Sequence, residues 1–101
     1  MAAFPLRVVY VNKERAHGEV PVQILISVPK KRFKHAVDRN RTKRQLREAY
    51  RHHKALLWET MEKHPDQLLA VVFIWLDAHH RPSNEVEQKV IGLIHRIGEK
   101  I

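Results

Sequence analysis

No glycine or proline interrupts the chain between Pro29 and Pro65. Inside that window Leu46, Ala49, Tyr50, His53, Leu57 and Met61 recur at spacings of three and four. This period predicts one long helix from about Val37 to about Lys63, with Asp38 or Asn40 placed to cap its first regular turn. So long a helix must lay its apolar stripe on something else. In a chain of 101 residues, which can hold one modest core, that requirement constrains the fold more than any other feature.

The remaining apolar segments supply the partner. "LRVVYV" from Leu6 to Val11 reads as a strand, rich in β-branched and aromatic residues and preceded by Pro5. "NKERAHGE" then reads as a loop or hairpin connection. "VPVQILISV" is a second strand, with Val20, Val22, Ile24, Ile26 and Val28 on one face at period two. "LLAVVFIWL" from Leu68 to Leu76 is apolar on both faces, which predicts a strand buried from both sides. A last helix starts at Ser83 or Asn84, with Glu87 completing a capping box. Its stripe is Val86, Val90, Leu93, Ile94 and Ile97, and Gly98 stands where a C-terminal stop belongs. The order β, β, long α, β, α predicts a single domain over residues 1–101, an α/β (α+β) two-layer sandwich with a three- to four-stranded sheet.

Charge sets the function class. Eleven of the nineteen Lys and Arg lie between Lys30 and Lys54, opposed only by Asp38 and Glu48. That segment carries +9, and the other 76 residues sum to −1. On a helical wheel centred on Leu46, Asn40, Lys43, Arg44, Arg47, Arg51 and Lys54 share one sector beside the core stripe. Arg41 and Glu48 point elsewhere. Like charges at these spacings cost a few tenths of a kcal/mol per pair, roughly, and a polyphosphate would offset that cost by releasing counterions. Arginine, which predominates between Asp38 and Arg51, grips phosphate oxygens bidentately and stacks on bases. The competing readings are a solvated face, an acidic protein partner or a membrane surface. Against the membrane, the face beside the cations is needed for the core. DNA and RNA are not separated by this physics.

The stretch "ISVPKKRFKHAVDRNRTKRQLREAYR" resembles the signature of the bacterial ribonuclease P protein subunit. The matching positions are Ser27, Val28, Lys30, Lys31, Ala36, Val37, Arg39, Asn40, Arg41, Lys43, Arg44 and Arg47. The resemblance implies a left-handed βαβ crossover around the basic helix, in a fold shared with the second domain of a small-subunit ribosomal protein. It implies a protein that binds a catalytic RNA and helps it remove the 5′ leader of precursor tRNA. Arg39, Asn40, Arg41, Lys43, Arg44, Arg47, Lys30 and Lys31 would contact RNA, and Tyr10, Lys31 and Phe33 would line a cleft for the single-stranded leader. Mg²⁺ would be held mainly by RNA phosphates. Two departures stand out. Pro29 replaces a small polar residue. Family members also carry a basic, Phe-containing helix before the first strand, whereas Met1 here lies almost at the strand, so the expectation is a form lacking that helix. Phe4 is the one aromatic residue left for that cleft wall.

Other chemistries find little support. With no cysteine, disulfides and Cys-type metal sites are excluded. His52 and His53 diverge by about 100° on a helix and do not easily share a metal. His79 and His80 beside Asp77 make at most a weak site, and no HExxH occurs. No carboxylate spacing demands convergence on a metal, so the chemistry is expected from the RNA. Trp58 shares the cationic sector. It reads either as packing against the last strand or helix, or as a stacking platform for a base. Trp75 and Tyr50 read as core. No secretory signal or membrane-length run is visible, and a cytoplasmic protein is the default expectation. A general RNA- or ribosome-binding module without a processing role is the alternative.

Overall fold

The computed structural model describes residues 1–101. Its elements are β1 (Ala2–Ala3), β2 (Leu6–Glu14), β3 (Val22–Ser27), α1 (Ala36–Glu62), β4 (Gln67–Trp75) and α2 (Ser83–Lys100). They form an α+β arrangement in two layers, with one four-stranded sheet of order β1-β2-β4-β3. At about 1.5 Å per residue α1 is on the order of 40 Å long, comparable to the 40 Å longest dimension of the molecule. No helix is long and apolar enough to cross a membrane.

β4 is the hinge of the topology. It pairs antiparallel with β2, from Leu6↔Trp75 to Glu14↔Gln67, and parallel with β3, from Val22↔Leu69 to Ser27↔Ile74. The segment between β2 and β3 is therefore not a hairpin, because β4 lies between the two strands. Gly18 in that connection has φ +87°, a conformation that glycine adopts without steric cost. β3, α1 and β4 make a βαβ unit of parallel neighbouring strands.

Both helices lie on one face of the sheet. Leu6, Val8, Leu69, Val71, Phe73 and Trp75 meet Leu46, Leu57 and Met61 of α1 and Val86, Val90, Leu93, Ile94 and Ile97 of α2 in a single core. Burying one such side chain is worth about 1.5–3 kcal/mol. The repulsion along α1, at a few tenths per pair, roughly, is outweighed several-fold by its buried stripe. Gln45 meets Ser83, His53 meets Glu87, and Thr60 Oγ1 lies beside Gly98, so the two helices run parallel.

The opposite sheet face has no covering layer. Val9, Val72 and Leu25 form one cross-strand row there, and Leu25 is 63% exposed. This corrects the expectation that β4 is buried on both sides. Leu69, Val71, Phe73 and Trp75 are fully buried, whereas on the other face only Leu68 is buried and Ala70, Val72 and Ile74 are half-buried. The outer face of β4 is shielded sideways by β2 and β3 rather than from above.

The helix ends also differ from expectation. α1 begins after His35 and α2 after Pro82, and neither start has a side-chain cap. Asp38 and Glu87 instead bind histidines on other elements. Gly98 lies inside α2, which continues to Lys100. Each local signal was overridden by a tertiary contact or by continued packing of the helix.

Candidate nucleic-acid interface

The first residues of α1 extend past the core, and none before Thr42 is buried. Two loops hold this overhang. On one side is the connector from Pro29 to His35. One guanidinium nitrogen of Arg39 donates to the carbonyls of Phe33 and Lys34, both at 3.0 Å, and folds the connector back onto the helix. On the other side is the loop from Asp77 to Pro82. The His80 ring stacks on Phe33, with centroids 4.5 Å apart and planes 14° from parallel. Its Nε2 lies 3.1 Å from Asp38 Oδ1, and its Nδ1 lies 3.3 Å from the hydroxyl of Thr42, which is wholly buried. In the neutral ring Nε2–H donates to the carboxylate and Nδ1 accepts from Thr42.

The loop is itself braced. Arg81 donates to Asp77 at 2.8 Å and to Glu85, and Gln45 Nε2 donates to the carbonyl of Arg81. The Arg81 bond, ahead of smaller contributions from His79, holds the Asp77 carboxyl below its ordinary range despite partial desolvation. The start of α1 is thus fixed by residues about forty positions away.

Part of the cationic set lies on the flank of α1 facing away from α2, whereas Arg44 borders the groove toward α2 beside Gln45, Glu48, His52, Ser83 and Glu87, and Arg41 lies outside the sector by helical phase. Gln45, His53 and Thr60 mark the α2 side, and Lys43, Arg47 and Lys54 lie on the opposite flank by helical phase. Arg51 is bound to Glu48 at 2.8 Å, both well exposed, and this contact lowers the Glu48 pKa. Lys30, Lys31, Lys34, Arg41, Lys43, Arg44, Arg47 and Lys54 form no ion pair with a carboxylate. Except for half-buried Lys43 all of these are exposed, as is Asn40. The ridge is neither scattered nor neutralised from within.

Tyr10, Lys31 and Phe33 do not meet in one cleft. Tyr10 follows Leu6 and Val8 on the helix-covered face and is partly buried against the core. Phe33 is only 7% exposed and stacks on His80. Lys31 is exposed on the connector. The outer sheet face has no aromatic side chain among Arg7, Val9, Val11, Gln23, Leu25, Ala70, Val72 and Ile74.

The histidines serve structure. His53 Nε2 lies 2.8 Å from Glu87 and His52 Nδ1 lies 3.5 Å from it. The His53 hydrogen bond, more than the His52 one, holds the Glu87 carboxyl low. No group of three or more His, Asp or Glu side chains is arranged to hold a metal ion. Two organising residues escaped the sequence reading. The sequence sets His80 beside His79, whereas the fold pairs it with Asp38. Arg15, in the presumed loop, donates to the carbonyls of Met61, His64 and Gln67 at the far end of α1. Nothing in their local sequence signals such distant partners.

The family model described as Ribonuclease P matches residues 2–98. A "Ribonuclease P protein component" of Porphyromonas gingivalis is 48% identical over 60 residues, covering 59% of this chain and 43% of that protein. One of Chlorobium phaeobacteroides is 35% identical over 82 residues, covering 75% of this chain and 56% of that protein. The matched length is thus about half of these curated relatives. No solved structure matches.

Proposed function

The chain belongs to the ribonuclease P family, and from that premise we propose that it is an RNA-binding protein subunit whose cationic flank docks on the catalytic RNA of ribonuclease P. The observation that carries this reading is the ridge from Lys30 to Lys54, of which only Arg51 has a carboxylate partner. Unpaired guanidinium groups on a rigid helix suit the backbone of a folded RNA, where each phosphate contact releases condensed counterions.

Lys43, Arg44 and Arg47 bind phosphate, with Asn40 in the same sector, Arg41 contacting RNA from outside that sector, and Lys30 and Lys31 extending the surface along the connector. Arg39 acts at one remove, by folding that connector. The protein strengthens binding of precursor tRNA and supports removal of its 5′ leader. The RNA supplies the bond-breaking chemistry. No group of three or more His, Asp or Glu side chains gathers to hold a metal by itself, and in this reading Mg²⁺ is held mainly by RNA phosphates. The chain's own contribution is to bring positive charge and a fixed shape to the complex. Leader contact through Tyr10 and Lys31 has weaker support, because their side chains do not share a cleft and Phe33 is buried.

The test is precursor tRNA cleavage by the protein alone, by a bacterial ribonuclease P RNA alone at low Mg²⁺, and by the two together. Cleavage only in the mixture is expected. Activity of the protein alone would overturn the proposal, and RNA binding without any gain in cleavage would point to a general RNA-binding module. In the same system Arg44→Ala and Arg47→Ala should each lower the slope of log affinity against log salt by about one contact.

A further inference from the structure

Trp58, like Tyr10 on β2 and the exposed Phe4, is an aromatic residue that the core does not fully absorb. Trp75 is completely buried, whereas Trp58 packs against the core and remains half-buried. Its position continues the ridge. Eighteen residues, or five turns, separate it from Asn40, so both have the same helical phase, and Arg47, Arg51 and Lys54 lie between them in that sector. Beyond it, Glu62 ends the basic character of this flank.

Two contacts hold the indole in place. Its Nε1–H donates to the Tyr50 hydroxyl at 3.2 Å, and Tyr50 is itself buried near Phe73. Burial raises the Tyr50 pKa, so the phenol stays neutral and available as an acceptor. The Lys54 ammonium lies 5.5 Å from the indole centroid and has no carboxylate partner. The ring is therefore oriented by its edge and covered on its face by an exposed cation. A ring serving only the core would need no cation there.

We propose that Trp58 is a stacking site for an unpaired RNA base, with Lys54 taking the phosphate of the same nucleotide. This inference rests on the RNA-binding reading above and adds to it a chemical class of ligand, single-stranded rather than helical RNA, at the far end of the ridge. An exposed cation–π contact is weaker than base–indole stacking. An arriving nucleotide displaces the ammonium from the ring face and offers it a phosphate instead. The Tyr50 bond keeps the indole from turning away. The site does not read base identity, because every base presents a π-face.

The probe is a short unstructured oligoadenylate, with an RNA duplex of equal length for comparison. In the full chain, oligoadenylate should quench Trp58 fluorescence and protect it from acrylamide, along the isotherm given by anisotropy of labelled RNA. Buried Trp75 contributes a constant background. Trp58→Leu should weaken oligoadenylate binding about tenfold without changing its salt slope, while duplex binding is unaffected. Trp58→Phe, which keeps a stacking ring, should stay much closer to the parent. The acrylamide measurement needs no variant and holds even if Trp58→Leu fails to fold. Oligoadenylate binding with no change at Trp58, or equal affinity of a folded Trp58→Leu, overturns the stacking site and leaves the ridge reading intact. No binding of either RNA overturns both.

Discussion

At the scale of single residues, charge and role separate. A count of cations would place Arg15 with the RNA-binding set, yet its guanidinium lies among three carbonyls where α1 ends and β4 begins. The Met61 and His64 carbonyls already accept backbone N–H groups of His64 and Gln67, and the third carbonyl opens β4, so Arg15 adds a charged second donor that ties the helix end, the turn and the strand together and favours the helix dipole. Arg15→Met keeps the aliphatic stem and removes the donors. It should destabilise the fold by about 1.5–3 kcal/mol in urea unfolding, with the salt slope of RNA binding unchanged. A reduced slope would place Arg15 in the interface after all. Arg39 is similarly divided, since its position was legible from the motif but its two carbonyl contacts were not.

At the scale of elements, α1 is two things in series. From Thr42 onward it is an amphipathic helix held by a sheet and by α2. Before Thr42 it is an overhang held by loops. His80 links the parts by touching Phe33 of the connector and Asp38 and Thr42 of the helix. His80→Ala should cost about 1–3 kcal/mol, the range for leaving a buried polar group without its partner. Hydrogen exchange should accelerate over residues 34–42 before it does elsewhere. Uniform acceleration along the chain would show that the overhang is not a separate unit. The sequence showed helix lengths and apolar stripes well, because both are local periodicities. It misplaced the caps because Asp38 and Glu87 had better partners about forty and thirty-four positions away.

At the scale of the whole molecule, one core joins every major element, and both helices share it. The single domain expected from the sequence should therefore unfold in one transition. Far-ultraviolet circular dichroism, which reports the helices, and Trp75 fluorescence, which reports the sheet and core, should give coincident urea curves. Separated midpoints would mean that α2 or the overhang opens independently. The two layers also divide the surface. The helix layer carries the cationic flank, while the outer sheet face is aliphatic along Val9, Val72 and Leu25. A leader cleft built on stacking cannot draw on that outer face, which offers no ring.

The sequence alone determined the element order, the long helix, the helical stripes and the clustering of positive charge on one flank. Each follows from residue type and period, and neither depends on knowing what lies nearby. Only the tertiary structure decided that β4 inserts between β2 and β3, that one sheet face stays open, that Tyr10 is partly buried against the core and that Phe33 stacks on His80. It also decided which cations remain without a carboxylate partner and which are already held by backbone carbonyls. Those outcomes depend on pairing between residues far apart in the chain, where burial and hydrogen bonding in the folded state outweigh local preference.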